Sequence, residues 1–417
     1  MYLQTNGVSG HNFMHKVFNI IKDEVVSKID LYKDYQDEEV IEVIDEVIIN
    51  KSRQIYISTK DKRSLRRSVF NAIRRYDVLQ DLIEDTSITE IMINGADNIF
   101  IEQNGAIRLW DKQFESNKKL EDIIQAIVSK SNRIINEANP IVDARLPDGS
   151  RVNIVLPPVS LDGPIVTIRK FPEKPITIKK LIQYGSLTKE LAENLEKLVI
   201  AGYNIFVSGG TGSGKTTFLN VLSNYIPSDE RVITIEDSAE LQIQNIVNLV
   251  RLEVRNVNVE GKGSISIRDL IKSSLRMRPD RIVVGEVRDA AAIDMLQAMN
   301  SGHDGSLSTG HANSAIDMLS RLETLVIMGV DIPLMAVRKQ IVSAIDIIIH
   351  LGRLRDKSRK VIEVSEVLDC IEGEYVMNQL YVFEETGEDQ KGKVIGEIVR
   401  TENLLINDSK LRKAGIM

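Results

Sequence analysis

The chain contains 417 residues, of which 43% are hydrophobic, and its 53 basic and 60 acidic residues give a net charge of −7. One domain per ~150 residues predicts two or three domains, and this composition allows each of them a sizeable core. The negative charge gives no global reason to expect a nucleic-acid partner, and the single cysteine, Cys370, excludes a disulfide framework and a cysteine-based zinc site.

The N-terminal end lacks the basic-then-apolar pattern of a signal peptide, and no run in the chain approaches the ~18 apolar residues of a membrane span. We therefore expect a cytoplasmic protein without direct membrane insertion. Any association with a membrane would come through partner proteins.

Residues 1–77 are predicted to form an N-terminal helical region. Apolar residues recur there at helical spacing, and one of its helices carries five arginines on its other positions: Arg63, Arg66, Arg67, Arg74 and Arg75. A nucleic-acid face is one interpretation, but the acidic chain favours a solvated or docking face.

His11 and His15 have the i, i+4 spacing of metal ligands. Because no carboxylate accompanies them in a motif, we interpret them as surface residues.

Residues 78–170 are predicted to form a mixed α+β domain. Asn-Gly at 104–105 indicates one hairpin, residues 120–135 a helix, and Pro-Asp-Gly at 147–149 the turn of a second hairpin. Three arginines lie near this second turn or at the end of the strand that follows: Arg145, Arg151 and Arg169. On the residues alone, such arginines are solvated or paired with a local acid such as Asp143 or Asp148.

Residues 171–186 are predicted to be a linker, because the segment FPEKP at 171–175 suits neither a strand nor the start of a helix. From 187 to 417, helices and strands alternate. This alternation predicts an α/β domain whose mostly parallel sheet is covered on both faces. Ligands of such sheets bind at the carboxyl ends of the strands.

The segment GGTGSGKTT at 209–217 matches the phosphate-binding pattern G-x-x-x-x-G-K-[ST], between a short apolar strand and a helix. Its glycines allow a tight turn that directs backbone N–H groups at phosphates. Lys215 is expected on the β- and γ-phosphates of ATP, and the Thr216 hydroxyl on Mg²⁺. The predicted nucleotide-binding residues are Gly210, Thr211, Gly212, Ser213, Gly214, Lys215, Thr216 and Thr217.

Two acidic segments follow apolar strands further along the chain, at 236–240 (EDSAE) and at Glu286. A carboxylate at such a strand end can bind the Mg²⁺ shell, and another can orient or deprotonate the attacking water. Between these segments, Arg251, Glu253 and Arg255 fall on one face of a strand.

A segment rich in Gly, Ser and Thr, GHDGSLSTGH, extends from Gly302 to His311 and contains His303. A neutral imidazole there can sense the γ-phosphate or steady the catalytic acid. On spacing alone, a polar loop with a structural histidine is an equal alternative.

Together these motifs resemble those of the secretion ATPases of type II and type IV systems and type IV pili. The quoted segments are GGTGSGKT, IEDSAEL, SLRMRPDRIVVGEVRD and GHDGSLSTGHANS, over roughly residues 78–350. The run VDARLPDGSRVN, followed by TIRKF, is most similar to the CpaF/TadA branch that assembles Tad (Flp) pili. The absence of paired CxxC motifs distinguishes the chain from relatives with a tetracysteine zinc site.

The resemblance implies an α/β fold: a RecA-like P-loop domain preceded by a smaller α+β (PAS-like) domain and the helical region, assembled as a homo-hexamer. It implies that Glu240 is the catalytic glutamate and Glu286 the Walker B glutamate, near Mg²⁺, with His303 and His311 in a histidine box. It also implies that Arg145, Arg151 and Arg169 reach a nucleotide across the ring, with Arg251 and Arg255 as further candidates.

The leading functional hypothesis is an ATP-hydrolysing motor for pilus assembly, peripheral to the inner membrane through pilus platform proteins. Pilus retraction and type IV secretion traffic are alternatives that use the same motifs. A RecA-like nucleic-acid translocase is a hypothesis of a different class, disfavoured by the 5% aromatic content and the negative charge. A non-catalytic scaffold would lack a catalytic acid, whereas Glu240 and Glu286 are both present.

Overall fold

A computed structural model describes residues 10–29, 33, 35–103, 105–130, 133–171, 175–255 and 263–416, with side chains from residue 13 onward. It divides into two compact units, Met1–Glu173 and Lys174–Met417. In the described parts of the chain, no helix combines the length and apolar content needed to cross a bilayer.

The N-terminal unit begins with a helical region, as the sequence predicts. Its helices are α1 (Gly10–Lys28), α2 (Asp37–Ser52) and α3 (Thr59–Arg74), and the short helix α4 (Val78–Glu84) that follows them packs Leu79 and Leu82 into the core of the next sheet. The first three share a core to which each contributes apolar side chains, among them Ile21, Ile44 and Val69.

The arginine-bearing face of α3 forms ion pairs with acids of neighbouring helices. Arg66 lies 3.1 Å from Asp45, and Arg74 lies 3.1 Å from Asp37. These ion pairs offset part of the positive charge of the helix. His15 is exposed and lies beside Asn19, and the side chain of His11 is outside the described residues.

A six-stranded antiparallel sheet with order β3-β2-β1-β6-β5-β4 follows in the same unit. Its elements are β1 (Ile88–Asn94), β2 (Asn98–Gln103), β3 (Ala106–Leu109), α5 (Asn117–Ser129), β4 (Ile141–Arg145), β5 (Arg151–Val155) and β6 (Ile165–Arg169). Both predicted hairpins are present, although Asn104 of the first turn is outside the described residues. The predicted helix 120–135 was too long. Ile135 is buried after α5 has ended, because its apolar side chain packs into the core from a non-helical segment.

The boundary between the two units falls inside the predicted linker, 171–186, of which residues 172–174 lie outside the described residues. The linker range also contains a short helix, α6 (Ile178–Gln183). Leu181 of this helix is buried in the core of the C-terminal unit, so part of the range belongs to that unit.

The C-terminal unit contains a nine-stranded sheet with order β15-β14-β13-β12-β7-β11-β10-β8-β9. The six strands from β12 to β9 are parallel, and β13, β14 and β15 continue the sheet in antiparallel fashion. The strands are β7 (Ile205–Gly209), β8 (Arg231–Glu236), β9 (Asn248–Glu253), β10 (Arg281–Val284), β11 (Leu307–Gly310), β12 (Ile347–Arg353), β13 (Arg359–Ile371), β14 (Glu374–Glu388) and β15 (Val394–Arg400).

Helices cover both faces of this sheet. They are α7 (Lys189–Ile200), α8 (Lys215–Ser223), α9 (Ile267–Ser274), α10 (Ala291–Asn300), α11 (Ala315–Ile327), α12 (Leu334–Ala344) and α13 (Ser409–Lys413). One core lies between the sheet and α7 and α8, and a second lies between the sheet and α9 to α12. Buried on both faces, β7 and β10 contain only apolar and small residues apart from Arg281. The result is a RecA-like P-loop fold.

Candidate active site

The phosphate loop lies between the end of β7 and the start of α8. Gly209, Gly212 and Gly214 have backbone φ angles of +156°, +72° and +98°. Residues other than glycine rarely adopt positive φ angles of this kind. A Cβ on Gly209 would also lie 2.5 Å from the backbone oxygen of Leu351. The loop delivers Lys215 at the first turn of α8, whose unbonded backbone N–H groups favour an anion.

The side chain of Lys215 is buried, and its ammonium group contacts three neighbouring residues. Its Nζ donates to the carbonyl oxygens of Gly209 and Gly210, both at 3.1 Å, and lies 3.2 Å from Nδ1 of His311. Burial lowers the pKa of Lys215, while the charge of Glu286 opposes this effect. The acid therefore helps to keep the lysine charged.

A chain of charged side chains continues from His311 across the strand ends. Nε2 of His311 lies 3.0 Å from Oε1 of Glu286, whose other oxygen lies 3.2 Å from Nε of Arg288. Arg288 then pairs with Asp237 at 3.0 Å. These residues follow β11, β10 and β8, which are successive neighbours of β7 in the sheet. Strand order thus brings together segments that are far apart in sequence.

Glu236, the last residue of β8, begins the predicted acidic segment 236–240, in which the motifs gave a role of its own only to Glu240. Its side chain is only 3% exposed, and Oε2 accepts hydrogen bonds from the backbone N–H groups of Glu240 and Leu241 at 2.7 and 2.9 Å. Burial raises its pKa to about 7. The available signal was its position directly after an apolar strand.

Glu240 is half-buried in the loop behind β8, held through its backbone by Glu236. Arg251 contacts the same loop: its Nη2 donates a hydrogen bond to the carbonyl oxygen of Leu241 at 3.2 Å. The catalytic role expected of Glu240 stays a prediction, as does a nucleotide contact by Arg251. Arg255 donates to the carbonyl oxygen of Gly263 at 2.6 Å, and its contact with a nucleotide also stays a prediction.

The second histidine of the motif occupies a different environment. His303 follows α10, and its Nδ1 lies 3.3 Å from the carbonyl oxygen of Ala298 and 3.3 Å from the hydroxyl of Ser301. Both partners belong to the end of the preceding helix. Of the two histidines, His311 is the one in contact with Lys215 and Glu286.

The three arginines of the N-terminal unit form a row across adjacent strands. Arg145 of β4 pairs in register with Arg151 of β5, which in turn pairs with Arg169 of β6. Cross-strand partners share a face of the sheet, and the neighbouring residues Val152 and Ile168 are buried on the other face. The row therefore lies on the face of this sheet opposite its core; Arg145 and Arg151 are half-buried there and Arg169 is exposed. Arg169 also lies 3.6 Å from Glu90.

The two acids that could have paired locally with these arginines have other contacts. Asp143 accepts from the side-chain amide of Asn153 at 3.0 Å. Asp148 accepts from the backbone N–H and the hydroxyl of Ser150, both at 2.9 Å, and so stabilises the turn.

Comparison with known proteins identifies similar chains. Residues 73–403 match the family described as Type II/IV secretion system protein. Conjugal transfer protein TrbB of Rhizobium radiobacter is 32% identical over 299 residues, which cover 70% of this chain and 87% of that protein. Type IV secretion system protein VirB11 of Bartonella henselae is 30% identical over 331 residues, covering 70% of this chain and 92% of that protein.

A solved structure, the VirB11 ATPase of the Brucella suis type IV secretion system, is 29% identical to this chain. The likeness covers 69% of this chain and 95% of that one, with a TM-score of 0.39. A second, the Legionella pneumophila ATPase DotB, is 22% identical over 71% of this chain and 80% of that one, with a TM-score of 0.49.

Proposed function

The chain belongs to the type II/IV secretion system protein family, and we propose that it is an ATPase motor that powers pilus assembly or secretion. The observation that carries this proposal is the continuous contact from Lys215 through His311 to Glu286 beside the phosphate loop. The lysine that we propose to bind phosphate and the carboxylate thus lie on opposite sides of one imidazole. Hydrolysis of a nucleoside triphosphate needs both groups.

In the proposed reaction, Lys215 and the N–H groups of the phosphate loop hold the β- and γ-phosphates of ATP. Glu240, positioned through Glu236, is proposed to orient or deprotonate the attacking water. The Thr216 hydroxyl and the Glu286 carboxylate are hard oxygen donors that fit Mg²⁺, with Glu286 acting through water. When bound, the ion would neutralise charge that develops on the phosphates.

We propose that the motor is a homo-hexamer whose N-terminal arginines complete a neighbour's site. The in-register row of Arg145, Arg151 and Arg169 supports this role, because it brings three positive charges together on one face of the sheet. A guanidinium near the transferred phosphate can contribute ~10³ to 10⁵ in rate when supplied by another subunit.

The machine that we propose is the Tad (Flp) pilus at the cytoplasmic face of the inner membrane, with membrane platform proteins as partners. The segments VDARLPDGSRVN and TIRKF support this assignment. A type IV secretion ATPase is the second candidate, and it is favoured by the names of the relatives TrbB and VirB11. The two candidates share the same catalytic chemistry.

The decisive experiment compares ATP hydrolysis by the purified full chain and by Lys215→Ala. Turnover should be lost in the variant, and it should rise in the wild type when a cytoplasmic loop of a membrane platform protein is added. DNA should bind weakly and in a salt-sensitive way at most, without stimulating turnover. Strong stimulation by single-stranded DNA would instead favour the nucleic-acid translocase, and unchanged turnover in Lys215→Ala would remove the proposed ATPase site.

A further inference from the structure

Two arginines of the hairpin formed by β12 and β13 lie against the phosphate loop. β12 pairs with β7 as far as Leu351, which is opposite Gly209, and then continues past the end of β7 to Arg353. β13 begins at Arg359, directly opposite Arg353. The hairpin therefore extends beside the loop that leaves β7.

The contacts between the hairpin and the loop are close. Nε of Arg359 donates to the carbonyl oxygen of Gly212 at 2.8 Å. The Cδ of Arg359 lies 3.5 Å from the place that a Cβ on Gly214 would take, and Nη1 of Arg353 lies 3.6 Å from the equivalent place on Gly212. Arg359 thus holds the loop through one nitrogen, and both guanidinium groups lie at the loop surface.

The charges of these two side chains are not balanced locally. Both are exposed, and cross-strand pairing puts the two positive charges directly opposite each other, which is unfavourable without an anion. Within the parts of the chain that the structure describes, neither forms an ion pair with an acid. By contrast, Arg355 in the turn between them pairs with Glu385 and Glu388 at 2.7 and 2.9 Å.

We propose that Arg353 and Arg359 form a phosphate clamp within the same chain, which binds the polyphosphate of a nucleoside di- or triphosphate. This inference rests on the proposed ATPase function and adds a binding determinant to that site. Arg359 keeps the loop in place through Gly212, and the two charges attract phosphate oxygens. Because ADP and ATP share the phosphates nearest the loop, the clamp acts on nucleotide affinity and not on the chemical step.

The test measures the affinity of the full chain for a fluorescent ADP, together with kcat and KM for ATP. Arg359→Ala should weaken ADP binding about tenfold, as expected for a lost charged hydrogen bond, and raise the KM for ATP equally while kcat stays within about twofold. The double variant with Arg353→Ala should bind more weakly still. Arg355→Ala is the matched control on the same hairpin, and its affinity should equal that of the wild type.

Two conservative variants separate charge from loop support. Arg359→Gln can still donate to Gly212 but is neutral, whereas Arg359→Lys keeps the charge. The lysine variant should bind ADP several-fold more tightly than the glutamine variant. Equal affinities for these two, or ADP binding by the double alanine variant within twofold of the wild type, would overturn the clamp.

Lys215→Ala in the same binding assay distinguishes failure of the clamp from failure of the proposed function. Weak ADP binding by Lys215→Ala beside normal binding by the Arg353 and Arg359 variants would reject the clamp and leave the ATPase site intact. Normal binding by Lys215→Ala as well would reject both.

Discussion

His311 and Glu286 are in contact: Nε2 of the imidazole lies 3.0 Å from Oε1 of the carboxylate. The other ring nitrogen, Nδ1, lies 3.2 Å from Nζ of Lys215. A charged lysine can only donate, so Nδ1 accepts and the ring proton is on Nε2, the nitrogen that faces Glu286. Burial and the charge of Lys215 lower the pKa of His311, which favours this neutral form.

Replacement of His311 should therefore impair turnover. We expect His311→Ala to lower kcat about tenfold or more, because the imidazole contacts both the lysine that we propose to bind phosphate and the acid. His303→Ala is the matched control, since that ring contacts only Ala298 and Ser301 among the hydrogen bonds of the described residues. Steady-state phosphate release measures both variants. Equal losses of kcat in the two variants would indicate that the integrity of the segment 302–311, and not the contact of His311 with Lys215 and Glu286, determines turnover.

The two proposed catalytic acids should separate binding from hydrolysis. Glu286→Gln and Glu240→Gln should keep ATP affinity within a few-fold of wild type and slow hydrolysis strongly, since the acids act on water and metal. Lys215→Ala should instead weaken ATP binding, because the ammonium interacts with phosphate charge in the ground state. Equilibrium nucleotide binding and single-turnover hydrolysis report the two effects. Full turnover in both glutamine variants is incompatible with the assignment of these acids.

Glu236 should make stability depend on pH. Burial raises its pKa from the ordinary 4.5 to about 7, so between these values the folded chain holds a proton that the unfolded chain has released. The free energy of unfolding must then fall as pH rises through this window, by up to about 1.4 kcal/mol per pH unit.

Glu236→Gln removes this titration and retains an acceptor for the N–H groups of Glu240 and Leu241. The glutamine variant should therefore gain stability relative to wild type as pH rises from about 5 to 7, with no further gain above. Urea unfolding of both proteins at several pH values provides the comparison. A stability difference that is constant across this range would show that the carboxyl group does not titrate there.

The proposed sharing of the site between subunits is testable by mixing. Arg169→Ala and Glu286→Gln should each be nearly inactive alone. Rings containing both should recover part of the activity, because some interfaces combine an intact arginine with an intact acid. Lys215→Ala mixed with Glu286→Gln is the control, since these two side chains belong to one contact network in one subunit and no interface is repaired. Normal turnover by Arg169→Ala rings would end the proposal.

The sequence by itself determined the chemical parts of the site. The phosphate loop, the apolar strand before it and the acids at 236–240 and 286 are each encoded in a short contiguous stretch, so their type could be read without knowing the fold. The alternation of helices and strands also predicted the parallel sheet. The resemblance of these motifs predicted the family to which the chain belongs.

Only the tertiary structure decided which of these parts meet. Pairing of β11 between β7 and β10 brings His311 to Lys215 and Glu286, and such non-local pairing has no signature in a local sequence pattern. The same reason explains why the motifs predicted no separate role for Glu236 within the acidic segment, and none for Arg359. The burial of Glu236 and the contact of Arg359 with Gly212 arise from segments that become neighbours only when the sheet is complete.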